Sequence, residues 1–427
     1  MEEESKTGWS NTKKLIVSIL ILLVFFGGAL VIGFMISGDI QEVDDRDLMV
    51  PEIVVADEDN AYFNLEKALS LYIKQPVKTP KKTSSIFDNY EAEIDNSPEG
   101  IKKYLKANEK CLEELFKVLK CNSWKEPENA PNSDEGYYGI RSLNKLLSMY
   151  SDSKENLFKK TELAFHLVTL ILSNPKYLID FEFALTLSEK SIIETVQKLN
   201  DHDLSKSELI QLSAIINKLR LSFFETGMQL AVKRHYFLIK GQLKELYRDR
   251  KEVNDYMPEV KSPYSFAFKL NKTILLGANF SRELLKVKTK ADAFSLHKKN
   301  MDLLDRLYKT RFKNYFHQNV IGEVLFYEST PQILETVFSY FEFKEKFIAL
   351  RFQIAVALHQ KIHGKYPKSL SDLKGQYLKD LSPDDFDLYK EFTYDSSTGK
   401  IEEIQPPPKG PTENKPGGGL FGPTNED

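Results

Sequence analysis

The stretch TPQILETVFSYFEFKEKFIALRFQIAVALHQKIHG, residues 330–364, decides the fold class of this chain. Its apolar side chains recur at helical spacing, Thr330 is a natural N-cap, Pro331 fits the first turn, and Gly364 fits the position after the last turn. This pattern predicts a helix from Pro331 to His363, about 33 residues and roughly 50 Å long. The aromatic side chains cover more than one stripe, which predicts burial on two sides of the helix.

The chain after Gly364 changes to short elements. Pro367 prevents the helix from continuing, and Ser369 can cap one short turn that stops at Gly375. The stretch FTYDSSTGKIEEI, residues 392–404, alternates apolar and polar side chains around a Gly-containing turn, which predicts a small β-hairpin. Together these elements predict a compact cap packed against the long helix.

Upstream of the long helix, the pattern is helical for most of the chain. Either Asp59 or Asn60 is a predicted N-cap, Ser97 is another with a following proline, and Ser205 with Glu208 predicts a capping box. No repeat of fixed period is visible, while successive antiparallel helix pairs remain open as an arrangement. The predicted fold class is therefore mainly α, with an extended helix-pair domain and a small α+β C-terminal cap.

A run without charges lies near the amino end, LIVSILILLVFFGGALVIGFMIS, from Leu15 to Ser37. As a helix it reaches about 34 Å, enough to cross a hydrocarbon core of about 30 Å. It is longer than the apolar region of a cleavable signal peptide, and no A-x-A motif follows it. We therefore expect an uncleaved single-pass transmembrane helix.

The residues flanking this run predict its orientation. Lys6, Lys13 and Lys14 precede it, and Arg46 is the only basic residue in the acidic stretch that follows. The excess of Lys and Arg on the cytoplasmic side predicts a cytoplasmic N-terminus and a translocated remainder. Residues 39–58 are acidic, have little regular pattern, and are expected to form a solvated tether.

Small residues recur every four positions within the predicted membrane helix, at Ala29, Gly33 and Ser37. This spacing lets two helix backbones approach closely and favours a homodimer through the transmembrane helix. The alternative is that the pattern reflects the general frequency of glycine in membrane helices. Both interpretations are open at the level of sequence.

The predicted organisation has six segments. In order, they are 1–14, a cytoplasmic N-terminus; 15–38, the transmembrane helix; 39–58, the acidic tether; 59–363, an all-α exported domain; 364–404, the small C-terminal cap; and 405–427, a disordered Pro/Gly-rich tail. The lipid bilayer is therefore an expected partner. A net charge of −3 gives no excess of basic residues for nucleic acid, and we expect none to bind.

The C-terminal stretch HGKYPKSLSDL, followed by YLKDL, an Asp-rich turn and FTYD, resembles a pattern in bacterial envelope proteins. Type II secretion pseudopilins carry a related G-x-Y-P…S-L-x-x-L element after their N-terminal membrane helix. The chain is also similar to a group of uncharacterised, single-pass, helical bacterial envelope proteins. The shared features are an N-A-Y start at Asn60, an R-x-L-x-x-L-L helix from Arg141, and an N-x-x-G element from Asn319 to Gly322.

This resemblance implies a bacterial inner membrane location with a periplasmic C-terminal domain, and no particular activity. The chain departs from the pseudopilin pattern at Asp384-Asp385-Phe386, where the proline comes one place earlier, at Pro383. It also lacks the Phe with which the hydrophobic helix of pseudopilins typically begins. These departures argue against the chain itself being assembled into a pilus.

Two weak metal-binding candidates stand out. His359 and His363 are four residues apart on the long helix, a spacing that suits one transition metal, but Gln360 stands where a zinc protease needs its Glu base. Contact with the cap or with solvent is the alternative. Asp384, Asp385 and Asp387 offer oxygens that suit calcium, without the EF-hand pattern, and a solvated acidic turn is the alternative.

No motif supports catalysis or a cofactor, so none is assigned. The only cysteines, Cys111 and Cys121, are about 15 Å apart if one helix spans them, and they can pair only if the helix stops and folds back. We expect a membrane-tethered structural or interaction protein of the envelope, with an unknown envelope protein as partner. The alternatives are an accessory component of a secretion or pilus-like assembly and an envelope enzyme with an unrecognised site.

Overall fold

A computed structural model of the chain describes residues 11–37, 39–53, 55–73, 97–127, 143, 146–150, 154–201, 204–248, 268–310, 319–378 and 381–403. This part is mainly helical, with twelve α-helices and one two-stranded antiparallel sheet, which confirms the predicted class in its main features. The predicted disordered tail, residues 405–427, lies outside the described residues, as do residues 1–10 and Arg141.

The α-helices are α1 Asn11–Ser37, α2 Ala61–Leu71, α3 Pro98–Ala107, α4 Glu109–Lys117, α5 Lys154–Ser173, α6 Leu178–Asp201, α7 Lys206–Lys218, α8 Leu221–Arg248, α9 Leu270–Leu284, α10 Lys290–Thr310, α11 Val320–His363 and α12 Pro383–Asp387. The strands are β1 Phe392–Asp395 and β2 Lys400–Glu403. The predicted caps at Ser97, Ser205 and Ser369 are confirmed, and of the two candidates Asp59 and Asn60 the cap is Asn60, because each of these side chains accepts a hydrogen bond from an N–H group of the first turn.

The contacts divide the chain into two compact units, each discontinuous in sequence. Unit 1 contains Met1–Met49 and Tyr236–Gln332, and unit 2 contains Val50–His235 and Ile333–Asp427. Helices α8 and α11 each contribute residues to both units. Each unit has its own buried apolar core, as the following paragraphs describe.

Helix α11 begins at Val320, so the predicted start at Pro331 is wrong. Pro331 lies inside the helix, where it has no N–H to donate to the carbonyl of Tyr327 one turn earlier. The Thr330 hydroxyl donates to that carbonyl at 2.9 Å. The helix therefore continues through the proline, because the Tyr327 carbonyl has a hydrogen-bond donor, and Gly364 ends the helix with φ of 70°, as predicted.

The aromatic residues of α11 form the centre of the unit 2 core. Phe343 and Phe347 are fully buried, with Phe343 packed against Phe224 of α8 at 4.3 Å between ring centroids and Phe347 edge-on to Phe165 of α5. Burial on two sides of the helix, as the sequence predicts, is confirmed by the buried residues Tyr340, Phe341, Phe343 and Phe347.

The C-terminal cap packs against α11 through a second aromatic group. Phe352 of α11 is fully buried and contacts Phe386 of α12 and Phe392 of β1. The predicted β-hairpin is confirmed, with Phe392 opposite Glu403 and Asp395 opposite Lys400. The cap is therefore a packed part of unit 2. An isolated two-stranded hairpin is only marginally stable, so the aromatic contacts with α11 stabilise the cap.

The first helix of unit 2 is fixed to an extended segment by one asparagine. The Asn60 amide donates to the carbonyl of Lys125 at 2.7 Å and accepts from its N–H at 2.9 Å. The following residue, Ala61, is fully buried, and Tyr62 packs edge-on against Trp124. The N-A-Y start of the sequence thus has a structural role, because it joins α2 to residues 123–125.

Candidate membrane-coupling site

Helix α1 exposes its apolar side chains between Ile16 and Gly33, wherever these side chains are described. The stretch Ile16–Gly33 has a mean hydropathy of 2.8 and is not buried against any other part of the protein. Among the described residues it is the one helix that is long and apolar enough to cross a bilayer. An exposed apolar surface of this size is typical of helices that contact a membrane or a protein partner.

The predicted small-residue face lies on this uncovered surface. Ala29 and Gly33 are exposed, and a Cβ added at Gly33 would meet no other atom within 4 Å. Ser37 is the last residue of α1, and its side chain lies outside the described part. A shallow apolar groove that includes Gly28 and Ala29 runs along the same helix. The homodimer through this face stays a prediction.

The segment that follows α1, residues 39–48 and here called the connecting segment, binds the first turn of α9. The N-cap position of α9 is Lys269, which makes no capping hydrogen bond with its side chain. The Asp39 carboxylate instead accepts from the N–H groups of Asn271 at 2.8 Å and Lys272 at 3.3 Å. Asp39 therefore caps α9 from a distant position in the sequence, where its negative charge suits the helix N-terminus.

A second contact of the connecting segment is made by Asp45, which is buried. Its Oδ2 accepts from the Tyr236 hydroxyl and from Lys240 Nζ of α8, both at 2.6 Å. Burial by itself would raise the pKa of the Asp45 carboxyl, but the hydrogen bonds from Lys240 and Tyr236 outweigh it and hold the pKa below its ordinary value. Asp45 is therefore ionised and paired at neutral pH.

Arg282 of α9 makes the third contact. Its guanidinium donates to both carboxylate oxygens of Asp47, at 2.7 and 2.8 Å, and to the carbonyl of Asp44 at 2.8 Å. Two parallel hydrogen bonds fix both the distance between the guanidinium and the Asp47 carboxylate and their relative orientation. Because Asp39 binds the start of α9 and Asp47 binds near its end, the connecting segment runs alongside that helix, and Leu48 is fully buried in the unit 1 core.

The start of α11 is joined to the start of α9 by the N-x-x-G element. Asn319 has a positive φ of 69°, and its side-chain oxygen accepts from the N–H of Lys269 at 2.7 Å and the hydroxyl of Thr273 at 3.0 Å. A Cβ on Gly322 would overlap both the Thr273 hydroxyl and the Asn319 side chain. Glycine is therefore required here for the two helices to approach.

The sequence predicts a solvated tether over residues 39–58, and these contacts go beyond that expectation. An acidic segment is expected to be exposed to solvent unless basic partners can be identified. Its partners, Lys240 and Arg282, are far away in the sequence and could not be identified from it. The available signal was the presence of apolar residues among the acids, of which Val43 and Leu48 contact the unit 1 core. One or two apolar residues without a period are not enough to predict packing.

The predicted transition-metal pair lies where α11 meets the cap. The rings of His359 and His363 are 4.5 Å apart between centroids. His359 Nδ1 lies 3.0 Å from the carbonyl of Lys365, and His363 Nε2 lies 3.4 Å from the Tyr377 hydroxyl. Each imidazole therefore has a protein partner in the cap, which agrees with the alternative of cap-contacting histidines.

Two of the three candidate calcium-binding residues each pair with a different lysine. Asp385 forms an ion pair with Lys344 of α11 at 2.5 Å, and Asp387 pairs with Lys390 at 2.9 Å. The side chain of Asp384 lies outside the described residues. In the described part of the chain, no group of three or more His, Cys, Asp or Glu residues is placed to hold a metal ion.

Both cysteines are buried free thiols, and no bond joins them. Cys111 lies in α4, while Cys121 follows the short 3-10 turn after that helix and accepts a hydrogen bond from Asn64 at 3.1 Å. Burial raises the pKa of the Cys111 thiol to about 11, so the group is protonated at neutral pH. A protonated, buried thiol has little reactivity.

A scan of protein-family models, a search of curated proteins and a search of solved structures each found no match to this chain. An uncovered apolar helix is followed within two residues by a segment whose carboxylates bind α8 and α9. This arrangement couples the position of α1 to that of the unit 1 core.

Proposed function

We propose that the protein is a membrane-tethered structural or protein-interaction component of the bacterial envelope, anchored in the inner membrane by α1. The N-terminus would be cytoplasmic and the remainder periplasmic. The observation that carries the proposal is the exposed apolar helix joined to the unit 1 core by Asp39, Asp45 and Asp47. The orientation rests on the basic residues that precede α1.

Tethering gives such a protein its mechanism. A helix that crosses the bilayer confines the folded units to a thin layer at the membrane, which raises their effective concentration for a local partner. A flexible linker would allow each unit to explore many orientations. The contacts of the connecting segment instead restrict unit 1, because Asp39 lies only two residues beyond the end of α1.

The test is a topology measurement on the full chain in bacterial membranes. Cys111 and Cys121 are buried, so a single cysteine introduced at residue 7 or at exposed Ser396 is the reactive thiol. In spheroplasts, a membrane-impermeant maleimide should label Ser396→Cys and leave Thr7→Cys unlabelled until the membrane is broken. The protein should also stay with the membrane after extraction at alkaline pH.

Release of the full chain by alkaline extraction would exclude a membrane-crossing α1. Labelling of Thr7→Cys but not of Ser396→Cys in intact spheroplasts would reverse the proposed orientation. The unmodified chain, carrying its two buried thiols, is the control for background labelling. These outcomes separate the anchoring part of the proposal from the part that concerns orientation.

A second candidate, an accessory component of a secretion or pilus-like assembly, is favoured by the G-x-Y-P element of the cap. Gly364 and Pro367 lead into a packed cap, and the Tyr394 hydroxyl donates to the carbonyl of Pro367 at 2.8 Å. A photo-crosslinker at Ser396, in the exposed hairpin turn, should capture a secretion component if this candidate holds. The same crosslinker at exposed Glu109 of α4 is the control.

A further inference from the structure

The last two turns of α8 carry a row of basic side chains. Lys240, Lys244 and Arg248 are spaced four residues apart, which places them on one side of the helix. Lys240 binds Asp45, so this row continues from the connecting segment. Lys244 and Arg248 are exposed, and neither forms an ion pair with another residue in the described part of the chain. Glu245 is the one acidic side chain of that last turn.

This basic row ends close to the start of α9. Tyr247 packs edge-on against the fully buried Phe268, with 5.5 Å between ring centroids, and Phe268 comes two residues before α9. The first turn of α9 is capped by Asp39. Two extended residues span at most about 7 Å, so Asp39 is close to the C-terminal end of α1. Lys244 and Arg248 therefore lie at the end of unit 1 that adjoins α1.

We propose that this end of unit 1 binds the headgroups of anionic phospholipids through Lys244 and Arg248. The inference rests on the proposed function, in which α1 crosses the bilayer. A headgroup layer of about 5–7 Å lies outside each face of the hydrocarbon core, which is the level reached just beyond the end of α1. Long basic side chains suit this layer, because their stems tolerate apolar surroundings while the charge meets phosphate.

The charge at this end of unit 1 is complementary to an anionic surface. Lys272, in the first turn of α9, is half-buried and adds a third cation near the same end. Of the acids in the connecting segment near this end, Asp39 binds the backbone of α9 and Asp45 binds Lys240 and Tyr236, while Glu42 is exposed. Exposed Glu42 and Glu245 offset two of the three positive charges, so the group keeps a net positive charge. The occupant is therefore a lipid phosphate group.

The test uses the full chain reconstituted into vesicles that contain spin-labelled phosphatidylglycerol or spin-labelled phosphatidylcholine. The fraction of each lipid that is immobilised at the protein is read from the electron spin resonance spectrum. The natural chain should prefer phosphatidylglycerol by roughly threefold or more, and added salt should reduce the preference. The variant Lys244→Gln/Arg248→Gln should lose most of it.

The matched control is Lys286→Gln/Lys288→Gln, which removes the same charge from exposed positions at the opposite end of α9. This control should keep the lipid preference of the natural chain. No preference in a chain that floats with the vesicles, or an equal loss in both variants, would overturn the inference and leave the anchor intact. A chain that does not float with vesicles at all would overturn the proposed function, and this inference with it.

Discussion

At the scale of residues, several buried asparagines bind the backbone of neighbouring segments, and Asn60, Asn108 and Asn319 are examples. Asn108 accepts from the N–H of Ile73 at 2.8 Å and donates to its carbonyl at 3.2 Å, which repeats the pairing of Asn60 with Lys125. The Asn319 side-chain oxygen likewise accepts from a backbone N–H, that of Lys269. Because a side-chain amide carries both a donor and an acceptor, it satisfies a buried peptide group that has left regular structure.

The close approach at Gly322 gives a prediction about unit 1. We expect Gly322→Ala to lower the free energy of unfolding by about 1–3 kcal/mol, because the new Cβ would displace the Thr273 hydroxyl and the Asn319 side chain. The control is Gly241→Ala in α8, where a Cβ meets nothing, and where alanine should stabilise the helix by about 0.5–1 kcal/mol. Urea unfolding followed by helical circular dichroism measures both, and equal effects would contradict the prediction.

A prediction of pH dependence concerns Glu126 of unit 2. Burial, together with the negative charge of Asp180, raises the pKa of Glu126 to about 7, and Lys176 opposes this only in part. The ordinary value of 4.5 applies to the unfolded chain. The folded state therefore binds more protons between these values, and stability should fall as the pH rises from about 5 to about 7.

Glu126→Gln removes this ionisation from the folded state. The variant should lose less stability than the natural chain between pH 5 and pH 7.5, because a neutral amide has no charge to desolvate. Glu58→Gln, at an exposed position, serves as the control and should follow the natural chain. The measurement is the unfolding midpoint of each protein across this pH range. If the midpoints of all three proteins change in parallel, Glu126 is not the source of the pH dependence.

At the scale of elements, the start of α9 depends on a residue more than two hundred positions away. Asp39 supplies the cap that Lys269 does not, and Asn319 binds the same turn from α11. Three elements of unit 1 therefore meet at one helix terminus. Helix ends leave N–H groups without partners inside the helix, and satisfying them here ties the connecting segment to the core.

We expect Asp39→Ala to destabilise the first turn of α9 by about 1 kcal/mol, the usual cost of losing a capping side chain. Hydrogen exchange of the amides of Asn271 and Lys272 should speed up, while the amides in the middle of α9 should change little. The control is Glu42→Ala, which removes an exposed acid from the same segment. Unchanged exchange at Asn271 in the Asp39 variant would show that the contact is not an effective cap.

At the scale of the whole molecule, the two units have separate cores joined through α8 and α11. The unit 1 core gathers residues from the connecting segment and four helices, including Leu48, Phe268 and Val324. The unit 2 core centres on the aromatic residues of α11. Because the chain has two cores, the two units can unfold separately. One free energy of unfolding can be assigned to the whole chain only if a test shows that they unfold together.

Thiol labelling gives that test for unit 2. Cys111 and Cys121 are both almost fully buried, so we expect negligible maleimide modification of the folded chain and full modification in strong denaturant. The labelled fraction should rise with the unfolding of unit 2 and report on it alone, because both thiols belong to that unit. Ser396→Cys is the control for reagent activity, and rapid labelling of the native thiols would contradict their burial.

Several features could be predicted from the sequence because their causes are local. The caps at Ser97 and Ser205, the end of α11 at Gly364 and the hairpin depend on residues within a few positions of one another. The start of α11 was missed for a local reason as well, since proline is typical of a first turn. The structure shows that Pro331 lies inside the helix, because the helix already begins at Val320 and the Thr330 hydroxyl binds the carbonyl that the proline leaves without a donor.

The sequence by itself determined the mainly helical class, the apolar N-terminal helix and the small terminal hairpin, because side-chain periodicity and turn chemistry act over short distances. Only the tertiary structure decided that residues 39–48 pack on unit 1 and that Asn319 and Gly322 join α11 to α9. The partners in these contacts, such as Asp45 with Lys240, are separated by long stretches of chain. The charge and composition of a segment do not identify its partner among many distant residues of opposite charge. The partner is determined only when both segments pack against the same core.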